Sequence, residues 1–200
     1  MLFFVTGASG SGKSACLPGL RQTLPDIDWH DFDELGVPAS CSLEWRQHTT
    51  EDWLTEAISN EHRQLDTGVA GGAILGEVLA CPSAPQVKGI HVALLDCHDW
   101  TRIDRLRERG AHATQDMLNW AAWQRMHAID PQWRPDVIRN GCDPSMKWER
   151  WAEWLRGDPR WRVEVIDTTV LSIGKVVDRL AEWVTATSSK TNKYDSRPET

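Results

Sequence analysis

The chain has 200 residues, 40% of them hydrophobic and 26% charged, and its formal net charge is −7. This length suits one globular domain with a sizeable core, and the composition is ordinary for such a domain. The acidic balance removes the general attraction for phosphate on which non-specific nucleic-acid binders rely, so we do not expect a nucleic-acid partner, and any anionic ligand must be held by a local cluster of donors.

The chain opens with an apolar run, Met1–Val5, which is too short for the core of a signal peptide or for a transmembrane span. Because Thr6-Gly7 ends the run at once, Leu2–Val5 is typical of a buried central strand of a parallel sheet. The five cysteines are dispersed without a CxxC pair, which indicates reduced thiols. We therefore expect a cytoplasmic protein with no membrane contact.

The stretch Gly7–Ser14 reads GASGSGKS and matches the phosphate-binding pattern G-x-x-x-x-G-K-[ST]. Its glycines allow a tight turn close to a ligand, and successive N–H groups can form an anion nest at the start of a helix. Lys13 can reach the β- and γ-phosphates, and the Ser14 hydroxyl can ligate Mg²⁺. The pattern predicts ATP, or a related nucleoside triphosphate, and Mg²⁺ as cofactors. The residues expected to bind them are Gly7, Ala8, Ser9, Gly10, Ser11, Gly12, Lys13 and Ser14.

Two carboxylates follow the short second strand predicted over Ile27–His30. Asp31 and Asp33 lie on the same side of an extended chain. The carboxyl ends of the strands form the ligand crevice of an open α/β sheet, so both should face the phosphate loop. One can hold Mg²⁺ through water while the other accepts a proton from an attacking hydroxyl or positions the acceptor. The alternative is that one or both cap a turn.

The middle of the chain predicts a helix from Thr49 or Thr50 to about Leu65, a strand over Val69–Leu75, and a clearer strand over Ile90–Leu95. Asp96 closes that last strand. Either Asp31 or Asp96 could therefore be the main magnesium-side carboxylate. We favour Asp31, because the acid must come from a strand end near the phosphate loop.

A helix with four arginines follows, from Asp99 or Thr101 to Arg109. Arg102, Arg105 and Arg109 share one helical face, at positions i, i+3 and i+7. Such a row can stack on adenine and clamp a transferring phosphoryl group. The alternative is a solvated helix held by intrahelical ion pairs.

The remainder predicts a helix over Gln115–Ala128, short helices and loops over 131–160, a strand over Trp161–Ile166, and a final amphipathic helix from Ile173 to Val184. Many of the 12 tryptophans fall at helical spacing, which favours packing over stacking on nucleobases. Residues 185–200 have almost no apolar content and are predicted to be a disordered tail.

The phosphate loop, the D-x-D after strand two and the R-L-x-x-R pattern of the arginine helix resemble the small P-loop kinases, such as shikimate, gluconate and adenylate-kinase-like enzymes. The resemblance implies a three-layer α/β/α domain over residues 1–184, with a parallel five-stranded sheet and a helical lid at about 111–139. By the same resemblance, the catalytic residues are Lys13, Asp33, Arg105 and Arg109, and the metal-side residues are Ser14 and Asp31. Asp33 would be the acceptor-side acid.

The resemblance also implies that arginines of the lid contact phosphate on closure, for which Arg125, Arg134 and Arg139 are candidates. The Asp167–Thr169 turn resembles the adenine-side loop of these kinases. The predicted function is transfer of the γ-phosphoryl group of ATP to a hydroxyl of an unidentified small-molecule acceptor. The alternatives are an ATPase or nucleotide-dependent switch acting on a protein or RNA partner, and a polynucleotide 5′-kinase, which the acidic charge disfavours.

Overall fold

The computed structural model describes the backbone of residues 1–195 and the side chains of residues 1–189. Five parallel strands form one sheet in the order β2-β3-β1-β4-β5. They are β1 (Leu2–Thr6), β2 (Ile27–Asp31), β3 (Asp66–Ala70), β4 (Ile90–Asp96) and β5 (Val163–Asp167). Because β1 lies between β3 and β4, the glycine loop that follows it opens at the middle of the carboxyl edge of the sheet.

Helices cover both faces of the sheet, as the predicted three-layer fold requires. They are α1 (Lys13–Thr23), α2 (Leu43–His62), α3 (Leu75–Ala80), α4 (Asp99–Glu108), α5 (Gln115–Ile129), α6 (Asp136–Arg139) and α7 (Ile173–Asp195), with short 3₁₀ turns at Phe32–Leu35, Ala84–Gln86 and Trp148–Arg150. None of the helices described is both long and apolar enough to cross a membrane. The predicted fold class is confirmed.

The central strand divides its side chains between two hydrophobic cores, because successive residues of a strand point to opposite faces. Leu2 and Phe4 belong to the core beneath α2 and α3, which also contains Trp123 of α5. Phe3 and Val5 belong to the core beneath α1 and α7. All four side chains are fully buried, so β1 is fixed on both faces and holds the loop after it firmly.

Most of the tryptophans fill these cores, which agrees with the packing role. Five are nearly or fully buried: Trp29, Trp53, Trp123, Trp151 and Trp161. His127 stacks on Trp123 with ring centroids 4.5 Å apart, and meets Trp151 and Trp161 edge-on. Trp100, at the start of α4, is the exception and is 67% exposed.

The bounds of α2 and β3 differ clearly from prediction. Helix α2 begins at Leu43, capped by Ser42, well before Thr49. Strand β3 covers Asp66–Ala70, so the predicted strand over 69–75 was wrong in its position. Gly68 faces the ring of Trp29 on β2, and a Cβ atom there would lie 2.3 Å from that ring. Close packing inside the sheet therefore requires a glycine at position 68.

The final helix continues beyond residue 184, through the start of the predicted disordered tail, to Asp195. The hydroxyls of Thr185, Ser188 and Ser189 donate to carbonyls four residues earlier, at 2.8–3.0 Å. A helix already anchored by its buried first turns can thus be extended by polar residues. The tail prediction for residues 196–200 lies outside the described residues.

The segment predicted as a lid, 111–139, is largely part of the folded body. Trp123 and His127 of α5 and Ile138 of α6 are buried, and α5 packs against β4 and β5. By contrast, residues 110–116 are mostly exposed. A closing movement remains a prediction, and it would have to be confined to this exposed stretch.

Candidate active site

The phosphate loop has the backbone conformation that its glycines allow. Gly7, Gly10 and Gly12 have φ values of 148°, 82° and 105°, which side chains rarely permit. At Gly7, a Cβ atom would also lie only 2.3 Å from the carbonyl oxygen of Leu95 in the neighbouring strand. The sequence therefore folds locally into a tight curl at the centre of the sheet edge.

Lys13 begins α1 directly after this curl. Its Nζ donates to the carbonyl oxygens of Gly7 at 2.5 Å and Ala8 at 3.3 Å. Burial, with a further contribution from the charge of Arg102, lowers the pKa of Lys13 to about 8. Ser14, the next residue, is exposed in the first turn of the helix, where its hydroxyl is accessible to a ligand.

Arg102 is buried beneath the loop and bonds to its backbone. Its side chain is fully buried; Nη1 donates to the carbonyl of Ser9 at 2.7 Å, and Nη2 donates to Asp96 Oδ1 at 2.8 Å. Asp96 Oδ2 accepts from Arg125 Nε at 2.5 Å. Both oxygens of Asp96 thus bind guanidinium groups, which leaves this acid poorly placed for a metal and favours Asp31 in that role.

Arg105 joins the loop to the turn after β5. Its Nη1 donates to the carbonyl of Gly10 at 3.3 Å and to Thr168 Oγ1 at 3.0 Å, and its Nη2 donates to the carbonyl of Thr168 at 2.6 Å. Thr168 Oγ1 also lies 3.1 Å from the carbonyl oxygen of Ser11 and 3.0 Å from that of Asp96, so these two acceptors compete for its one hydroxyl proton. The Arg105 guanidinium is therefore engaged with the phosphate loop and with the turn after β5.

Together these contacts cover the carbonyls of residues 7–11. Lys13 contacts the first two, and Arg102, Arg105 and Thr168 contact one each of the next three. Each of these five carbonyl oxygens thus has a side-chain donor within hydrogen-bond distance. Such bonding fixes the peptide planes and polarises them, which strengthens the N–H groups on their other side as anion donors.

Arg109, at the end of the arginine row, is exposed. Its charge contributes to the lowered pKa of Lys13, so it lies near the loop. Within the part of the chain whose side chains are described, its guanidinium makes no hydrogen bond or ion pair. Of the three arginines on this face, Arg109 is the one with a guanidinium available to a ligand.

The two aspartates after β2 lie at a turn facing the loop. Asp31 Oδ1 accepts from the backbone N–H of Asp33 at 3.1 Å, so Asp31 caps the 3₁₀ turn, as the alternative interpretation proposed. Partial burial, followed by the charge of Asp31, raises the pKa of Asp33, while Lys13 opposes this shift. Both carboxylates in turn raise the pKa of Lys13 against the effect of burial, so the three groups belong to one site.

No acidic residue lies at the carboxyl end of β3, and the nearby Glu77 has a structural role. Glu77 is fully buried and accepts from Arg46 Nε at 2.9 Å and from Arg46 Nη2 at 2.6 Å. The Arg46 guanidinium also lies over the Trp120 ring, 4.7 Å from its centroid. Sequence reasoning missed this pair because its members lie on different helices and no local pattern joins them.

The three arginines proposed for a lid do not meet at the loop. Arg125 binds Asp96 at the end of β4. The Arg134 side chain is 65% exposed. Arg139 lies over the ring of Trp151, 4.3 Å from its centroid. Their predicted contact with phosphate stays a prediction.

An exposed apolar surface adjoins the loop and was not anticipated. Val170 is 91% exposed and Ile173 is 44% exposed, in the turn after β5 and at the start of α7. A Cβ atom at Gly12 would lie 3.8 Å from Ile173 Cδ1. The sequence signal for this surface was only the neighbouring Asp167–Thr169 turn, where Asp167 Oδ1 accepts from the N–H of Thr169 at 2.8 Å.

A parallel sheet of this order with a glycine-rich loop and lysine after its central strand defines a P-loop nucleotide-binding protein. The chain belongs to the AAA domain family, whose family model matches residues 4–119. Membership of this family implies nucleotide binding. No curated protein matches the chain.

Solved structures of small kinases share the fold. A sugar kinase from Janibacter sp. HTCC2649 is 13% identical, with a TM-score of 0.61 and coverage of 92% of this chain and 94% of that one. A gluconokinase from Sinorhizobium meliloti 1021 is 15% identical, with a TM-score of 0.56 and coverage of 98% and 97%. A shikimate kinase from Acinetobacter baumannii is 13% identical, with a TM-score of 0.53 and coverage of 93% of each chain. The resemblance to small P-loop kinases is thereby confirmed for the fold.

Proposed function

We propose that this chain is an ATP-dependent phosphotransferase that moves the γ-phosphoryl group of ATP to a hydroxyl of a small molecule. One observation carries the proposal: the lysine of the phosphate loop lies at the same edge of the sheet as the carboxylates of Asp31 and Asp33 at the end of β2, close enough for both carboxylates to act on the pKa of Lys13 and for Lys13 to act on that of Asp33. A loop that only bound a nucleotide would need one carboxylate for the metal, and it would not need a second carboxylate beside the first.

Three sets of groups in the site hold the nucleotide. The N–H groups of residues 9–14 bind the phosphates, helped by the helix dipole of α1. The ammonium of Lys13 and the guanidinium of Arg109 balance the charge of the β- and γ-phosphates. The apolar surface of Val170 and Ile173 beside the loop gives the base a face to pack on.

Ser14 and Asp31 would hold Mg²⁺. Both offer the oxygen ligands that this ion prefers. Ser14 is exposed, and Asp31 Oδ2 has no hydrogen-bond partner among the side chains described, whereas both oxygens of Asp96 are taken by arginines. When bound there, Mg²⁺ would supply positive charge that offsets part of the charge on the phosphates.

Asp33 acts on the acceptor. Its raised pKa suits a base that must take up a proton and later release it. Asp33 accepts the proton of the acceptor hydroxyl as that oxygen forms its bond to the γ-phosphorus. The bond from the γ-phosphorus to the β–γ bridging oxygen breaks, and ADP leaves with the electron pair.

The proposal is tested by measuring ADP release from Mg²⁺-ATP with a panel of sugars, polyols, hydroxy acids and nucleosides. We expect one class of hydroxyl compound to stimulate release, with a phosphorylated product detectable by mass spectrometry. The Asp33→Asn variant should bind ATP normally and lose the stimulation. Stimulation only by a protein or by RNA would contradict the proposal and favour the switch, and normal transfer by Asp33→Asn would remove that residue from its role.

A further inference from the structure

Glu34, in the 3₁₀ turn after β2, connects three groups through its two carboxylate oxygens. Oε1 accepts from Arg21 Nη2 at 2.8 Å and from the backbone N–H of Asp31 at 3.0 Å. Oε2 lies 2.9 Å from His30 Nδ1. Glu34 itself is not among the residues expected to touch a ligand.

These contacts fix the two aspartates of the candidate active site. Glu34 holds the backbone of Asp31, and the side chain of Asp31 holds the backbone of Asp33, which together form a capping box. With Oδ1 occupied by the N–H of Asp33, the rotamer of Asp31 is set and only Oδ2 remains for another partner. The conformation of the turn therefore determines where both carboxylates point.

Glu34 is anchored to α1 through Arg21. The Nε of the same arginine donates to the carbonyl of Trp29 in β2 at 2.9 Å, so its guanidinium spans the helix, the strand and the turn. Since α1 begins at Lys13, this contact joins the helix of the phosphate loop to the turn that carries the aspartates.

Glu34 is anchored on the other side through His30. His30 Nε2 lies 3.0 Å from Asp28 Oδ2, which also accepts from Asn60 Nδ2 of α2 at 3.2 Å. The imidazole lies 4.9 Å from the ring of Trp53, also on α2. The network therefore reaches the two helices that flank β2.

The charges of this network are mutually supporting. Burial tends to raise the pKa of Glu34, but hydrogen bonds from the N–H of Asp31, from His30 and from Arg21 outweigh burial and lower it. Burial tends to lower the pKa of His30, but Glu34 and Asp28 outweigh it and raise the pKa. Glu34 is thus an anion across the neutral range, and the guanidinium of Arg21 offsets part of the repulsion among the carboxylates of the turn.

We propose that Glu34 is a positioning residue, which orients Asp31 toward Mg²⁺ and Asp33 toward the acceptor by closing the capping box and joining it to α1. The inference rests on the proposed function. It predicts that loss of Glu34 weakens the response of nucleotide binding to Mg²⁺ and leaves the binding of nucleotide without metal intact. A residue that only stabilised the fold would change both, or neither.

The test measures the affinity of a fluorescent non-hydrolysable ATP analogue in EDTA and over a Mg²⁺ titration. For Glu34→Ala we expect the half-saturating Mg²⁺ concentration to rise about tenfold, as losing a group that orients a metal ligand typically does. Glu34→Gln keeps an acceptor for the N–H of Asp31, so we expect a rise of only about threefold, because a neutral acceptor bonds more weakly. Affinity in EDTA should stay unchanged in both variants.

Glu164→Ala is the matched control. Glu164 is an exposed acid on β5, at the opposite edge of the sheet from β2, and it makes no hydrogen bond or ion pair with the side chains described. The Glu164→Ala substitution removes the same charge without changing the turn, so the Mg²⁺ response of this variant should equal that of the unmodified protein.

Two results separate the inference from the proposed function. If the unmodified protein binds the analogue without any Mg²⁺ response, the proposed function fails. If it responds to Mg²⁺ and Asp31→Asn loses the response while Glu34→Ala keeps it, the positioning role is wrong and the function stands. If Glu34→Ala fails to fold, Glu34→Gln decides, since a half-saturating Mg²⁺ concentration equal to that of Glu164→Ala would overturn the inference.

Discussion

Replacing Arg102 by methionine should destabilise this protein more than any other single loss of charge around the loop. Arg102 is fully buried, whereas its partner Asp96 is 14% exposed and has a second cation in Arg125. Removing one partner of a buried ion pair leaves the other charge uncompensated. Methionine keeps the packing against Gly10, from which a Cβ atom would lie 3.1 Å from Arg102 Cγ, so the change isolates the charge and its hydrogen bonds.

The magnitude follows from these contacts. Breaking a buried pair costs about 3 to 5 kcal/mol, and because Arg125 still compensates Asp96 we expect the lower end, about 3 kcal/mol. For a chain of this size that corresponds to a fall of roughly 6 to 12 °C in Tm. Arg125→Met is the comparison: its side chain is 38% exposed, so screening by solvent limits the loss to about 1 kcal/mol.

The assay is urea unfolding followed by tryptophan fluorescence, for both variants and the unmodified protein. Arg102→Met should also bind the ATP analogue less tightly, because the carbonyl of Ser9 loses its donor and the loop its support. An Arg102→Met protein that is no less stable than Arg125→Met, or that binds nucleotide normally, would refute the view that this arginine holds the loop.

Two pH dependences follow from shifted proton affinities. Since the pKa of Lys13 is lowered to about 8, nucleotide affinity should fall as pH rises through that value, by about tenfold between pH 7 and pH 9. The Lys13→Met variant should bind nucleotide weakly at every pH, without this pH dependence. A pH dependence that persists in Lys13→Met would assign it to another group. His30 has a raised pKa in the folded protein, so the stability it contributes is full below its unfolded pKa of about 6.5 and is lost as pH rises through the folded value. The difference in unfolding free energy between the unmodified protein and His30→Gln should therefore shrink from pH 5.5 to pH 8.5, and a difference that widens would contradict the sign.

The fold could be predicted because its main signals are local. The apolar run before Gly7, the loop and the following helix are contiguous, and each later strand ends in a turn that the sequence marks. The errors came where packing between distant segments decides the local structure. Gly68 in β3 packs against the ring of Trp29 on the next strand. Likewise, no local signal shows that α5 packs on the domain through His127, which stacks on Trp123 and meets Trp151 and Trp161. No window of sequence contains those partners.

The arginine helix illustrates the same limit within the site. Its periodicity correctly places three arginines on one face, but it carries no information about depth. Helix α4 starts beside Asp96 beneath the loop and ends in solvent, so Arg102 is buried, Arg105 is half-buried and Arg109 is exposed. Only Arg109 is left in the position that the pattern suggested for all three.

The different burial of the three arginines bears on how an acidic protein can hold a triphosphate. If all three arginines faced the ligand, the site would carry a concentrated positive charge that the fold would have to compensate when no nucleotide is bound. Instead Arg102 and Arg105 act through peptide groups, because they donate to the carbonyls of Ser9 and Gly10. Their charge reaches the phosphates as fixed, polarised N–H dipoles, which need no reorganisation on binding. The affinity of the loop should therefore depend on residues that never touch the nucleotide.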